Sequence, residues 1–256
     1  WKQAAKSPTR QKPLTQCVTS EVTLRGLACG TKRVAPKPMS NPSALFSPSP
    51  RPKHVAPTLV EAMKELSIHR DRGFWFVRSD GSERFVSYAE MWERAHQRAA
   101  FLRGKGLEKG DRVALVVPDG DEFVLSFLGA IVGGLVPVPM YPQLSFKNVA
   151  TYHDTVSHIV DASGAKLLVT TKSTVDFVAP VQSRTPSLKD IVLTDSFAEL
   201  KDERVDVAVA PEDMCFLQFT SGSTSKPKGV MVSHLNLAWN SECFMIHGLD
   251  KDSCSD

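Results

Sequence analysis

Between residues 112 and 201 the sequence alternates short continuous apolar runs with longer amphipathic stretches. The runs at 112–117, 135–138, 166–170 and 191–194 are too apolar for strands with one wet face. They suit strands buried on both sides. Helices are expected at 122–133, 149–163, 174–182 and 197–201. Val149, Tyr152, Val156, Ile159 and Val160 mark one core-facing stripe, and Gly164 ends it. Such alternation predicts an α/β fold, with a mostly parallel sheet flanked by helices. Ligands on such sheets bind beyond the carboxyl ends of the strands.

Upstream, Thr58 is placed to cap a helix carrying Leu59, Met63 and Leu66 on one face. Asp80-Gly81 between apolar runs at 74–77 and 84–86 predicts a hairpin. Ser87 and Glu90 have capping-box spacing for a long helix that ends at Gly104 and Gly106. Asp119, Asp121 and Glu122 suit the N-terminal dipole of the next helix. The acidic stretch 202–213 reads as a solvated loop.

Charge divides the chain of 256 residues. Residues 1–53 hold ten Lys/Arg and one acid, Glu21, and the rest of the chain nets −6. Nine of the 17 prolines fall within residues 1–57. Each disfavours helix at the residue before it, and the segment has too little apolar surface to offset its ordering entropy. Residues 1–57 are therefore expected to be a disordered, basic, Pro-rich leader. Scarce acids fit a targeting segment and the prolines oppose one; a linker or upstream sequence fits as well. Met39, the first methionine, is the expected natural start. Because the basic excess lies outside the folded part, no nucleic-acid partner is expected. No apolar run reaches the length of a transmembrane segment. Five cysteines (17, 29, 215, 243 and 254) lack metal-ligand spacing, so free thiols and a reducing, cytoplasmic compartment are expected.

The segment that carries chemistry lies between two apolar runs, 214–219 and 230–232. It reads Thr220-Ser-Gly-Ser-Thr-Ser-Lys-Pro-Lys-Gly229. Hydroxyls run through Thr220, Ser221, Ser223, Thr224 and Ser225. Gly222 and Gly229 free the backbone to present N–H groups, and Lys226 and Lys228 flank Pro227. Hydroxyls, amides and ammoniums together can surround phosphate oxygens. On composition alone the same residues fit a polar turn between two hairpin strands. A Walker loop is excluded, because Pro227 stands five residues after Gly222, where that motif needs its second glycine. Ser221 and Ser223 have no identifiable base partner, which disfavours a serine hydrolase. The histidines form no metal pattern, and His234 reads as a helix-start residue that packs or caps.

The ten residues 220–229 resemble the phosphate-binding loop of the adenylate-forming enzymes, the superfamily of acyl-CoA synthetases, fatty acyl-AMP ligases, peptide-synthetase adenylation domains and luciferases. Tyr88-Ala-Glu-Met91, Lys109-Gly-Asp-Arg-Val-Ala-Leu115, Glu122-Phe123 and Gly134-Leu-Val-Pro-Val-Pro139 are similar in order and spacing to segments of that family's large N-terminal domain. The likeness covers roughly residues 58–254. Ser225 stands where many members carry a second glycine, and with Pro139-Met-Tyr-Pro142 it resembles the fatty acyl-AMP ligases. The resemblance implies that residues 58–256 are the N-terminal part of the large domain. It implies a ligase using ATP and Mg2+ to convert a fatty acid carboxylate into acyl-AMP and pyrophosphate. Residues 220 to 224 would contact phosphates and Lys228 would add charge. Lys226 occupies a variable position. The acceptor would be an acyl carrier protein; for a fatty acyl-CoA synthetase it would be CoA. A non-catalytic remnant or interaction module is the reading from another class. Family members are about twice as long, so residues 1–256 alone are expected to be inactive.

Overall fold

The alternation folds as expected, with differences at the segment ends. The computed structural model describes residues 51–78, 81–142, 148–198, 200, 203–220 and 226–245. All of them belong to one unit, Ser49–Asp256. Most of the expected leader, together with Met39, Asp80 and Ser221 to Ser225, lies outside the described residues.

The fold starts with α1 (Leu59–Leu66), whose first turn is closed by Thr58 accepting the Glu61 N–H at 3.1 Å. Strands β1 (Gly73–Val77) and β2 (Glu83–Ser87) pair antiparallel. Gly81 turns the hairpin in the left-handed region, at φ 80°, which favours glycine. Helix α2 (Tyr88–Gly104) follows. Its expected capping box is half formed. Ser87 accepts the Glu90 N–H, but the Glu90 carboxylate binds Arg94 at 2.8 Å and Arg84 at 3.3 Å. Two cations are stronger partners than one amide.

The central sheet comprises β3 (Arg112–Val116), β4 (Val136–Pro139), β5 (Leu167–Thr170) and β6 (Asp190–Leu193). All pairings are parallel, in the order β4-β3-β5-β6. The connecting helices are α3 (Gly120–Val132), α4 (Val149–Ser163) and α5 (Val175–Gln182). Alternate residues of each strand serve opposite faces. Ala114, Val116 and Leu168 pack with Val156, Val160, Val178 and Val181 of α4 and α5. Val113, Leu115 and Val169 pack with Leu102 of α2 and Ala130 of α3. Apolar continuity along each strand is the cost-free solution for a sheet covered twice.

Strand β4 ends at Pro139. Val136 and Met140 donate to the Asp111 and Leu115 carbonyls, so residues 137 and 139 face away from β3. Both are proline, so that edge has no donors to offer. Where a helix is expected at 197–201, the described residues show a 3-10 turn at Thr194–Phe197, and residues 199 and 201 lie outside them. Hydroxyl and carboxyl side chains at Thr194, Asp195 and Ser196 favour turns. The acidic stretch is not simply a solvated loop. Val205, Val207 and Val209 are half-buried at alternate positions, and Pro211 is buried. The Val205 N–H donates to His96 Nδ1 at 3.4 Å. This period-2 pattern was present in the sequence, obscured by its acids.

The acids opening α3 do more than suit its dipole. Asp121 is 1% exposed and accepts from Arg78 at 3.0 Å and Arg84 at 2.9 Å, joining the β1–β2 hairpin to α3. Burial would raise its pKa. The hydrogen bonds from Arg78, the Glu122 amide and Arg84 hold it below the ordinary value.

Candidate phosphate-binding site

Beyond the sheet, β7 (Met214–Thr220) and β8 (Lys228–Ser233) form an antiparallel hairpin. Cys215 and Leu217 face the interior, and Leu217 joins the core beside Val136 and Val138 of β4. In the register, Thr220 lies opposite Lys228 and Phe219 opposite Gly229. The hairpin therefore brings the two ends of the predicted phosphate segment together. Thr220, Lys226 and Lys228 are exposed, and Pro227 is half-buried. Ser221, Gly222, Ser223, Thr224 and Ser225 lie outside the described residues.

Gly229 has a packing reason to lack a side chain. A Cβ there would meet Phe219 Cζ at 3.0 Å, so the ring covers the strand where the return arm begins. The Pro227 carbonyl is 3.0 Å from His158 Nε2 on α4. A carbonyl only accepts, so Nε2 carries the proton. The sequence placed His158 on a helix and assigned it no role. Its partner is 69 positions away, and no local pattern signals it.

Two clefts flank the hairpin. One, of about 410 Å³, is lined by Tyr141, Pro142, Tyr152, Gln218, Thr220 and Pro227. It lies beyond the carboxyl end of β4, where α/β sheets take ligands. The other is larger, about 630 Å³, and includes Lys109, Arg112, His158, Asp213, Lys228 and Met231. Size favours the second, where Lys109 and Arg112 are engaged and Lys228 is exposed. Lys109 binds Asp213 at 2.6 Å, and Arg112 donates to the Ser163, Gly110 and Gly164 carbonyls. The smaller cleft has the Thr220 end of the loop at its rim, and the larger has Lys228.

Neither nearby thiol nor imidazole is a nucleophile in waiting. Burial pushes the Cys215 thiol up to about 12, so it stays protonated. His234, first residue of α6 (His234–Cys243), is 2% exposed. Burial lowers its pKa to about 4, with Asp213 opposing and Lys109 assisting. Its Nδ1 accepts the Leu59 N–H at 3.2 Å. The expectation that His234 packs at a helix start is met. The cap itself is Ser233, which exchanges side-chain bonds with Asn236 in a full capping box.

The donor set suits a polyphosphate: a hydroxyl at Thr220, ammoniums at Lys226 and Lys228, and a bare backbone at Gly229. It does not by itself suit Mg2+. Among the described residues no group of three His, Cys, Asp or Glu converges. Mg2+ takes its ligands from carboxylates, water and substrate phosphates.

A model described as "AMP-binding enzyme" matches residues 66–254. The chain belongs to the AMP-binding enzyme family. Among family relatives, a feruloyl-CoA synthase of an Amycolatopsis species is 32% identical over 168 residues, covering 64% of this chain and 31% of that protein. The long-chain-fatty-acid–AMP ligase FadD26 of Mycobacterium tuberculosis is 34% identical over 158 residues, covering 60% and 26%. A solved fatty acyl-adenylate ligase, from a study of the E. coli and L. pneumophila enzymes, superimposes with a TM-score of 0.69 at 26% identity. That alignment covers 75% of this chain and 35% of the other. The L. pneumophila ligase in complex with acyl adenylate and pyrophosphate gives a TM-score of 0.64 at 28% identity, covering 76% and 34%. The AMP-binding chain thus spans about a third or less of the length of these relatives. No described helix is long and apolar enough to cross a membrane.

Proposed function

We propose that this AMP-binding chain supplies the phosphate loop of an ATP-dependent ligase that activates a fatty acid as acyl-AMP. The observation that carries the reading is the hairpin register, which sets Thr220, at the rim of the cleft beyond β4, opposite Lys228, which lines the larger cleft on the other side. The fatty acid–AMP ligase relative and the two ligase structures support the substrate class.

In the proposed reaction a carboxylate oxygen attacks the α-phosphorus of ATP. The bond from that phosphorus to the bridging oxygen breaks, and pyrophosphate leaves with the electron pair. Anion attacks anion, so cations and oriented dipoles must meet the charge that develops on the phosphates. Thr220, Ser221, Gly222, Ser223 and Thr224 contact the departing phosphates, and Lys228 supplies positive charge. Gly229 keeps the backbone of the return arm bare. Mg2+, bound with ATP, would neutralise further phosphate charge. Acyl transfer to a carrier protein follows. Likeness to feruloyl-CoA synthase keeps a second reading in view, in which CoA is the acceptor.

The test is Lys228→Ala in the full-length protein, followed by pyrophosphate exchange. A loss of about 10²-fold or more is expected, with the melting temperature nearly unchanged. A loss of stability matching the loss of rate would favour a merely structural polar turn. Residues 1–256 alone, covering about a third or less of these relatives, should form no acyl-AMP; detectable product would refute that part.

A further inference from the structure

Three consecutive residues of the return arm are held by three different devices. Pro227 has no N–H, and its ring fixes φ. Its carbonyl is the one backbone polar group it offers, and that carbonyl is bonded to His158 Nε2 at 3.0 Å. Lys228 is held by pairing with Thr220, and Gly229 by the Phe219 ring. The second and third devices come from β7, the loop's own other arm. They fix the return arm through β7, whose Leu217 and Phe219 pack on the central core. His158 is a direct tie from the return arm to α4. It is anchored on α4, a helix whose Val156, Ile159 and Val160 are buried in the central core.

We propose that His158 is a positioning residue, which ties the loop's return arm to α4 and so sets where the Lys228 ammonium stands relative to bound phosphate. His158 does not itself touch substrate. It acts through the carbonyl one residue before the lysine. A donor is required at Nε2; a positive charge is not. The proposal rests on the phosphate-loop reading above.

Trypsin gives a direct readout of the arm, because Lys228 is followed by Gly229, whereas Lys226 is followed by Pro227 and resists cleavage. The full-length protein is digested briefly under native conditions, with and without MgATP. Cleavage after Lys228 is compared with cleavage after the exposed Lys172, so that global unfolding cancels. Without nucleotide, His158→Ala should raise the ratio about tenfold, the effect of one lost hydrogen bond. The MgATP concentration that half-protects the bond should rise by a similar factor. His158→Gln can place an amide N–H near the Nε2 position and should behave as wild type. If the alanine variant does not fold, His158→Phe keeps the ring without the donor and should show the same changes. Unchanged ratio and protection in the donor-less variant would overturn the proposal, as would a glutamine variant no better than alanine. If MgATP fails to protect even the wild type, the phosphate-loop reading falls first and the positioning role falls with it. If the wild type is protected and the variants lose nothing, only the role of His158 falls.

Discussion

The Nδ1 of His234 accepts the backbone N–H of Leu59 at 3.2 Å, across 175 positions of sequence. One imidazole thus satisfies an orphan donor in the first turn of α1 while opening α6. It can accept only while Nδ1 is unprotonated. Its pKa is lowered to about 4 by burial, from an ordinary value of 6.5. A lowered folded-state pKa means that the unfolded chain binds the proton first. The stabilisation is complete above pH 6.5 and is lost as pH falls towards 4. Urea unfolding should show about 1–2 kcal/mol less stability at pH 5 than at pH 7 from this group. In His234→Gln, whose side-chain oxygen accepts without titrating, that part of the pH dependence should vanish. An unchanged slope would count against the assignment.

Asp121 should be a strong point of stability. Its carboxylate is buried and takes two arginines from the hairpin. Asp121→Asn keeps the shape but removes the charge that compensates them. Both arginines retain some solvent, so the cost should be about 2–3 kcal/mol, below that of a fully buried broken pair. Chemical denaturation measures it; a cost under about 0.5 kcal/mol would place the pair among ordinary surface bridges.

Gly129 marks the close crossing of α2 and α3. A Cβ there would stand 2.6 Å from Arg98 Cβ and 3.3 Å from the Ala95 carbonyl oxygen. Arg98 cannot simply retreat, because it is buried and bonds Glu122 at 2.7 Å and Ser126 at 2.9 Å. Alanine is the better helix former, so Gly129→Ala would stabilise an isolated α3. In the folded protein overpacking should win, leaving a net loss of about 1–2 kcal/mol. A raised melting temperature would contradict the crossing geometry.

The two described cysteines should separate by reactivity. Cys215 is buried with its thiol pushed up to about 12, and Cys243 is exposed. Brief iodoacetamide treatment of the native protein should label Cys243 and spare Cys215, with peptide mass spectrometry as the readout. Labelling of both without denaturant would mean that β7 opens readily.

By itself the sequence determined the parts of this protein that depend on neighbours in the chain. Apolar continuity at 112–117 and 166–170 specified strands buried on both faces. Thr58 and Gly164 marked helix ends, and residues 220–229 drew notice as a loop that resembles a family's phosphate loop, although their content alone fits a polar turn as well. These are local statements, because backbone propensity and side-chain periodicity act over one or two turns. Tertiary structure alone decided which distant groups meet. It gave His234 the amide of Leu59, Asp121 the arginines of the hairpin, and His158 the carbonyl of Pro227. It also turned the acidic stretch after residue 202 into a valine-lined edge, by offering Val205, Val207 and Val209 an apolar surface to cover. A buried polar atom must find a partner wherever the fold places one. Those partners follow from how the sheet and helices pack, so no spacing within the chain announces them.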